Sequence, residues 1–203
     1  CGGGAPTKTP PGPTPGGTRT TAVRDGDHWV LNGSKTFITN ASLADTAVVM
    51  AVTDKSKGKK GISAFVVERG TRGFRAGKKE DKLGVRCSDT SELVLEDARV
   101  PPGNLLGKEG QGFIDALRIL DRGRIGIAAF SIGIAQASLE ASIAYARGRK
   151  QFGRAIGEFQ AVQIKVADMS TRIEAARLLA WEAATLRGSG SEHTTESSAA
   201  KVF

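Results

Sequence analysis

From about Gly110 to Arg147 the chain holds no proline and no sustained polar–apolar alternation, and the helix it implies is apolar nearly all round. Such a helix has to be buried against other helices, which commits the second half of the chain to a bundle. Upstream the period changes. Short β-type runs follow one another from Thr18: TRTTAVR, DGDHWVLNG behind an Asp-Gly turn, SKTFITN, TAVVMAVT, GISAFVVE, FRAG and SELVLEDARV, closed by Pro101-Pro102-Gly103. That spacing predicts an antiparallel barrel or sandwich. The predicted fold class is therefore α+β, an antiparallel β domain at 18–108 followed by part of a helical bundle at 109–203.

Within the second half, Gly153 to Gly157 reads as a loop and a second helix is expected from about Glu158 to Arg187. On it Phe159, Val162, Val166, Met169, Ile173, Ala176, Ala180 and Ala183 recur three and four residues apart, a packing seam. A third helix is expected after the Gly188 to His193 loop, cut off at Phe203. Residues 1 to 17 hold six Gly and five Pro and cannot build a core, so they are expected to be disordered or irregular.

Composition excludes several classes of function. The net charge of +8 raises the question of nucleic acid, but the basic residues are scattered from Lys8 to Lys201 and aromatics make up only 5%. Both argue against a nucleic-acid surface. Cys1 and Cys87 are the only cysteines and His28 and His193 the only histidines, so neither a disulfide framework nor a metal site is expected. No uninterrupted apolar run approaches the roughly 18 residues of a membrane span, and no signal peptide opens the chain. The expectation is no membrane insertion and a location in a bacterial cytoplasm or a mitochondrial matrix.

Three segments carry chemistry. Asp121, Arg122, Gly123 and Arg124 put charges and a helix-weakening glycine inside an apolar helix, which costs several kcal/mol unless they find partners, on the order of the penalty for unpaired buried charge. In ARGRKQFG, Arg147, Arg149 and Lys150 fall at a helix C-terminus. There they either cap the negative dipole end or grip a pyrophosphate, with Phe152 beside them to pack on a ring. KTFITNA ends a strand with Phe37, Ile38 and Thr39 before Asn40, where a sheet can offer a planar ring both a flat face and hydrogen-bond donors. No Gly-Lys pair is followed by Ser or Thr, so there is no P-loop, and GKEGQG does not open a βαβ unit.

Taken together, DGDHWVLNGSKTFITNA, GISAFVVE, KKEDKLGVRCSDTSELVLEDARVP, GKEGQGF, LDRGRIGIAA, YARGRKQFG and FQAVQIKVADM stand in the order and spacing of the acyl-CoA dehydrogenases. The resemblance covers about residues 18 to 203, and LDRGRIGIA most resembles the short-chain, butyryl-CoA type. It implies the middle β domain and the first half of the C-terminal four-helix domain, with FAD between the two. It implies that Phe37, Ile38 and Thr39 lie against the flavin, with Phe37 where the family usually has Trp. Arg149, Phe152 and Gln160 are implied to reach the pyrophosphate and adenosine part of FAD from a neighbouring subunit, hence a homotetramer. Asp121, Arg122, Gly123 and Arg124 are implied to line the channel for the acyl-CoA thioester and pantetheine, Gly123 leaving room for the substrate.

The implied reaction is α,β-dehydrogenation of an acyl-CoA to a trans-2-enoyl-CoA, with electrons passed to an electron-transferring flavoprotein. In one branch of the family the catalytic carboxylate stands at the position of Gly123. The glycine there implies the other branch, whose Glu is expected beyond Phe203, so the 203 residues are expected to carry no catalytic base and to be inactive alone. The family's Gly-Ser-Asp-Ala-Gly segment is replaced by Gly-Pro-Thr-Pro-Gly from Gly12. One coding string for those five, GGT CCG ACG CCG GGG, read from its third base encodes Ser-Asp-Ala-Gly, which predicts a frameshifted N-terminus. The alternatives are an acyl-CoA oxidase-like flavoenzyme, or a non-catalytic binding module.

Overall fold

The computed structural model describes residues 17–203; the expectations for the N-terminal segment lie, save for Gly17, outside the described residues. Two compact units divide the chain between Ala116 and Leu117.

In the first unit β1 (Thr21–Asp25), β2 (His28–Thr39), β3 (Thr46–Val52), β4 (Ile62–Glu68), β5 (Phe74–Lys79), β6 (Thr90–Val100) and β7 (Leu105–Leu106) form one sheet in the order β5-β6-β2-β1-β3-β4-β7. The Asp25-Gly26 turn forms as expected, with Asp25 paired to His28 and Gly26 at φ 57°. DGDHWVLNG and SKTFITN are not two strands but one 12-residue strand, β2. Gly33, at φ 140°, bends β2 without breaking it, and a register shift against β6 between Leu31 and Gly33 absorbs the bend.

The side chains alternate between a core face and an open face. Leu31, Val49, Phe65, Val67, Leu95 and Val100 form the inward set, each at most 2% exposed. Trp29 on β2 and Phe65 on β4 meet edge to face with ring centroids 5.3 Å apart. In a flat sheet strands three places apart would be separated by about 14 Å, so the sheet curls over a shared core.

The expected antiparallel barrel or sandwich is corrected in two respects. Successive strands β1, β2 and β3 alternate in direction, so β3, lying beside β1, runs parallel to it through Thr21 and Val52, and the sheet is mixed. β5 and β7 stay at opposite edges, and among the described residues no pairing joins them into a closed barrel.

In the second unit α1 (Gly112–Gly148), which begins in the first, is followed by a short hairpin of β8 (Lys150–Gln151) and β9 (Arg154–Ala155). Then come α2 (Gln160–Gly188) and α3 (Thr194–Val202). Every residue of the α2 seam is at least half-buried, and Ile173, Ala180 and Ala183 are fully so. On α1 the all-round burial expected from its apolar faces is not found. Ile125, Ala128, Leu139 and Ala146 make one buried stripe, whereas Ile119, Ile127, Phe130 and Ile134 lie more than half exposed, because α2 and α3 cover a single face. α1 also holds an 18-residue window of mean hydropathy 1.4, which by length and composition alone is enough to cross a membrane. The residue-by-residue reading found no unbroken apolar run because Ser131, Gln136, Ser138 and Glu140 interrupt it. Arg177 of α2 donates to the side-chain amide oxygen of Gln136 at 3.0 Å, giving that polar interruption a partner inside the unit.

Candidate functional site

A cavity of about 410 Å³ opens in the first unit between β2, β3 and the turn after β2. Its lining is largely aliphatic and includes Ile38, Thr39, Thr18, Lys35, Val49 and Met50. Lys35 and Ile38 are three residues apart, and in a regular strand of period two they would face opposite sides. Both line the cavity because β2 bulges between them. Lys35 pairs with Leu93 and Ile38 with Ser91, so three steps on β2 oppose two on β6. Phe37, inside the bulge, sits at φ 58°, a conformation uncommon for a bulky residue. Its side chain is 60% exposed and does not line the cavity. Of the three residues expected to face a ring, the structure therefore brings Ile38 and Thr39 to the cavity and leaves Phe37 outside.

Asp89 holds the end of β2 in place. Asn40, at φ 59°, donates its backbone amide to the Asp89 carbonyl at 2.9 Å, and the Ser42 amide donates to the Asp89 carboxylate at 3.0 Å. The Ser42 amide holds that carboxyl below the usual carboxylate range, with Lys79 at 3.6 Å adding its charge, against the opposing effect of burial. Thr39, exposed at this rim, has a hydroxyl that makes no hydrogen bond among the described residues. An aliphatic recess with a free hydroxyl, within the roughly 300–1,000 Å³ of small-molecule sites, fits the edge of a planar ring system.

Lys35 is the site residue that sequence reasoning missed. Its Nζ donates to the Thr18 hydroxyl, and burial lowers its pKa to about 8. The signal for it lay in the alternation Trp29, Leu31, Gly33, Lys35, which puts the cation on the core face of β2.

In the second unit Arg149, Phe152 and Gln160 come together at one end. The backbone amide of Arg149 donates to Tyr145 and its carbonyl accepts from Ile156, both at 2.8 Å, while its side chain is exposed. Phe152 and Gly153, at φ 53° and 79°, form the left-handed two-residue tip of the β8–β9 hairpin and leave the Phe152 ring 92% exposed. That ring meets Phe159 edge to face at 6.2 Å, and the Arg154 guanidinium stacks over Phe159 at 4.1 Å, directly before Gln160 at the start of α2.

Asp121 and Arg124 pair with each other one turn apart on α1, and the Thr194 hydroxyl of α3 donates to Asp121 at 3.2 Å. This is how the unit neutralises charge inside an apolar helix. Arg122 is exposed, and nothing lies within 4 Å of where a Gly123 Cβ would stand. Arg124 and Arg147 are 23 residues apart along α1, about 35 Å at 1.5 Å per residue, and Arg149 follows just past the end of that helix. Among the described residues no group of three or more His, Cys, Asp or Glu could hold a metal ion.

Two family profiles match the chain: "Acyl-CoA dehydrogenase, middle domain" over residues 10–98 and "Acyl-CoA dehydrogenase, C-terminal domain" over residues 110–203. A mitochondrial short-chain specific acyl-CoA dehydrogenase of Mus musculus is 51% identical over 187 residues, which are 92% of this chain and 45% of that protein. A caffeyl-CoA reductase–Etf complex subunit of Acetobacterium woodii is 49% identical over 188 residues, 93% of this chain and 50% of that protein. The structure of butyryl-CoA dehydrogenase from Megasphaera elsdenii superposes with a TM-score of 0.89 at 47% identity, covering 94% of this chain and 50% of that one. The chain spans about half the length of the relatives it matches. With profiles for two consecutive domains matched in order along nearly all of its length, the chain belongs to the acyl-CoA dehydrogenase family.

Proposed function

We propose that this chain is the flavin-ring and pyrophosphate-binding part of an FAD-dependent acyl-CoA dehydrogenase that converts a short-chain acyl-CoA to its trans-2-enoyl-CoA. The observation that carries this reading is the cavity beside the β2 bulge, where Ile38 offers an aliphatic face and Thr39 a free hydroxyl. FAD, when bound, supplies the hydride acceptor. Ile38 and Thr39 hold the flavin ring and exclude water from its face. Arg149 grips pyrophosphate oxygens with a two-pronged guanidinium, and Phe152 and Gln160 take the adenosine side.

The pair Asp121–Arg124, with Arg122 and the open position at Gly123, borders the channel for the thioester. The resemblance to the family assigns the cluster near Arg149 to the cofactor of a neighbouring subunit, which supports a homo-oligomer and specifically a homotetramer. Electrons leave to an electron-transferring flavoprotein, a partner type named in the Acetobacterium woodii relative. The bacterial cytoplasm or the mitochondrial matrix suits such a protein, and α1 acts as a bundle helix rather than a membrane span. No described residue is assigned as the base that removes the α-proton.

Anaerobic addition of butyryl-CoA to the FAD-loaded whole protein tests this reading. The visible flavin absorbance is expected to bleach within the mixing time of a manual assay, and roughly tenfold or more slowly with palmitoyl-CoA, whose chain overfills a short pocket. Flavin that stays oxidised with every acyl-CoA overturns it.

A further inference from the structure

Lys35 stands apart from every other ionisable group around the cavity. Among the described residues it is the only ionisable one in the lining, and none of the described carboxylates lies within ion-pair distance of it. Its neighbours are already engaged or turned away. Asp89 is held by Ser42 and Lys79, Asp45 lies 3.6 Å from Arg69, and Glu92 on β6 packs its carboxylate near Gly77. Among the described residues the sole hydrogen-bond partner of the Lys35 amine is the Thr18 hydroxyl, which itself donates to the Met50 carbonyl at 3.3 Å. Thr18 thus fixes the nitrogen through one of its hydrogens and leaves the lone pair of the neutral amine free. That amine lines an aliphatic recess which the hydroxyl-bearing Thr39 and Thr46 also line, and a hydroxyl is a donor for an oxygen gaining charge.

We propose that Lys35 is an acyl-acceptor site of the flavin-free protein, at which short acyl thioesters modify the chain while no flavin ring covers the recess. The neutral Nζ attacks the thioester carbonyl, the C–S bond breaks, an amide forms on Nζ, and the thiol departs with the proton lost by the nitrogen. No electrons are transferred, and the thioester is the only co-reactant. The identity of the donor as an acyl-CoA rests on the acyl-CoA dehydrogenase reading; the reactivity of the amine does not. Desolvation supports the chemistry, since it brings the Lys35 pKa down to about 8 and leaves a substantial fraction of the amine neutral near neutrality.

The test treats the 203-residue chain separately with p-nitrophenyl acetate and with butyryl-CoA and maps the acylated lysines by peptide mass spectrometry. Lys55, which is exposed, serves as the internal reference. Lys35 is expected to acylate about tenfold faster than Lys55 near pH 7.5, because burial raises the neutral fraction of its amine. Its rate should level off above about pH 8. Lys35→Arg should lose the fast site and keep the slow ones. Labelling of Lys35 no faster than Lys55, or a rate still rising through pH 10, overturns the proposal. Labelling by the ester but not by butyryl-CoA overturns the thioester donor. Failure of the flavin reading would show separately, as absent bleaching, with Lys35 still labelled by both reagents.

Discussion

Phe65→Ala is expected to lower the stability of the first unit by about 3–5 kcal/mol, the usual cost of emptying a buried phenylalanine site. Phe65 is 0% exposed and meets the Trp29 ring edge to face. Its strand is paired on both sides, with Val49 of β3 and with Leu105 of β7, so the backbone cannot collapse easily into the void. Against a typical total of roughly 5–15 kcal/mol, the loss takes a third or more of what holds a domain folded. Val23→Ala is the contrasting change. Val23 points to the open face of β1 and is 62% exposed, and its truncation should stay within about 0.5 kcal/mol. Urea unfolding followed by tryptophan fluorescence reads both. Equal midpoints for the two variants would mean that the sheet does not curl over Phe65.

The second large effect concerns cofactor affinity. Arg149→Ala in the whole protein should weaken FAD binding ten- to hundredfold, since one charged hydrogen-bonding group contributes about 1.5–3 kcal/mol. The fold should be unaffected, because the contacts of Arg149 within the unit run through its backbone amide and carbonyl. Arg149→Lys should recover only part of the affinity, an ammonium being unable to grip two phosphate oxygens in the fixed geometry of a guanidinium. Equilibrium dialysis against FAD measures it. Unchanged affinity in both variants would reduce Arg149 to a cation at the negative end of α1.

The division between strands and helices was readable in the chain because it depends on local period. Strands from Thr21 and the long helices ending near Arg147 and Arg187 follow from alternation, Pro-free length and the three-four spacing of the α2 seam. What was not readable depends on contacts remote in sequence. The parallel junction of β1 with β3 and the open edges at β5 and β7 come from strand order, which no local pattern encodes. The merging of two runs into β2 hid behind Gly33, a residue that reads as a turn but here only bends a strand.

The candidate site divides in the same way. Ile38 and Thr39 could be named from KTFITNA as a strand end suited to a ring, and Arg149 and Phe152 from ARGRKQFG. That Lys35 and Ile38 line one recess could not be read, because it depends on the bulge at Phe37, where three steps along β2 oppose two on β6. The charges at Asp121 and Arg124 posed a question that the structure answers with a pair on the same helix and a hydroxyl from α3, the latter 73 residues further along the chain.

The central claim is that the recess beside the β2 bulge receives the flavin ring. A crystal structure of the FAD-loaded whole protein tests it most directly. The account predicts the ring system in van der Waals contact with Ile38 and hydrogen-bonded by the Thr39 hydroxyl; a flavin bound elsewhere, with this recess filled by side chains alone, would contradict it.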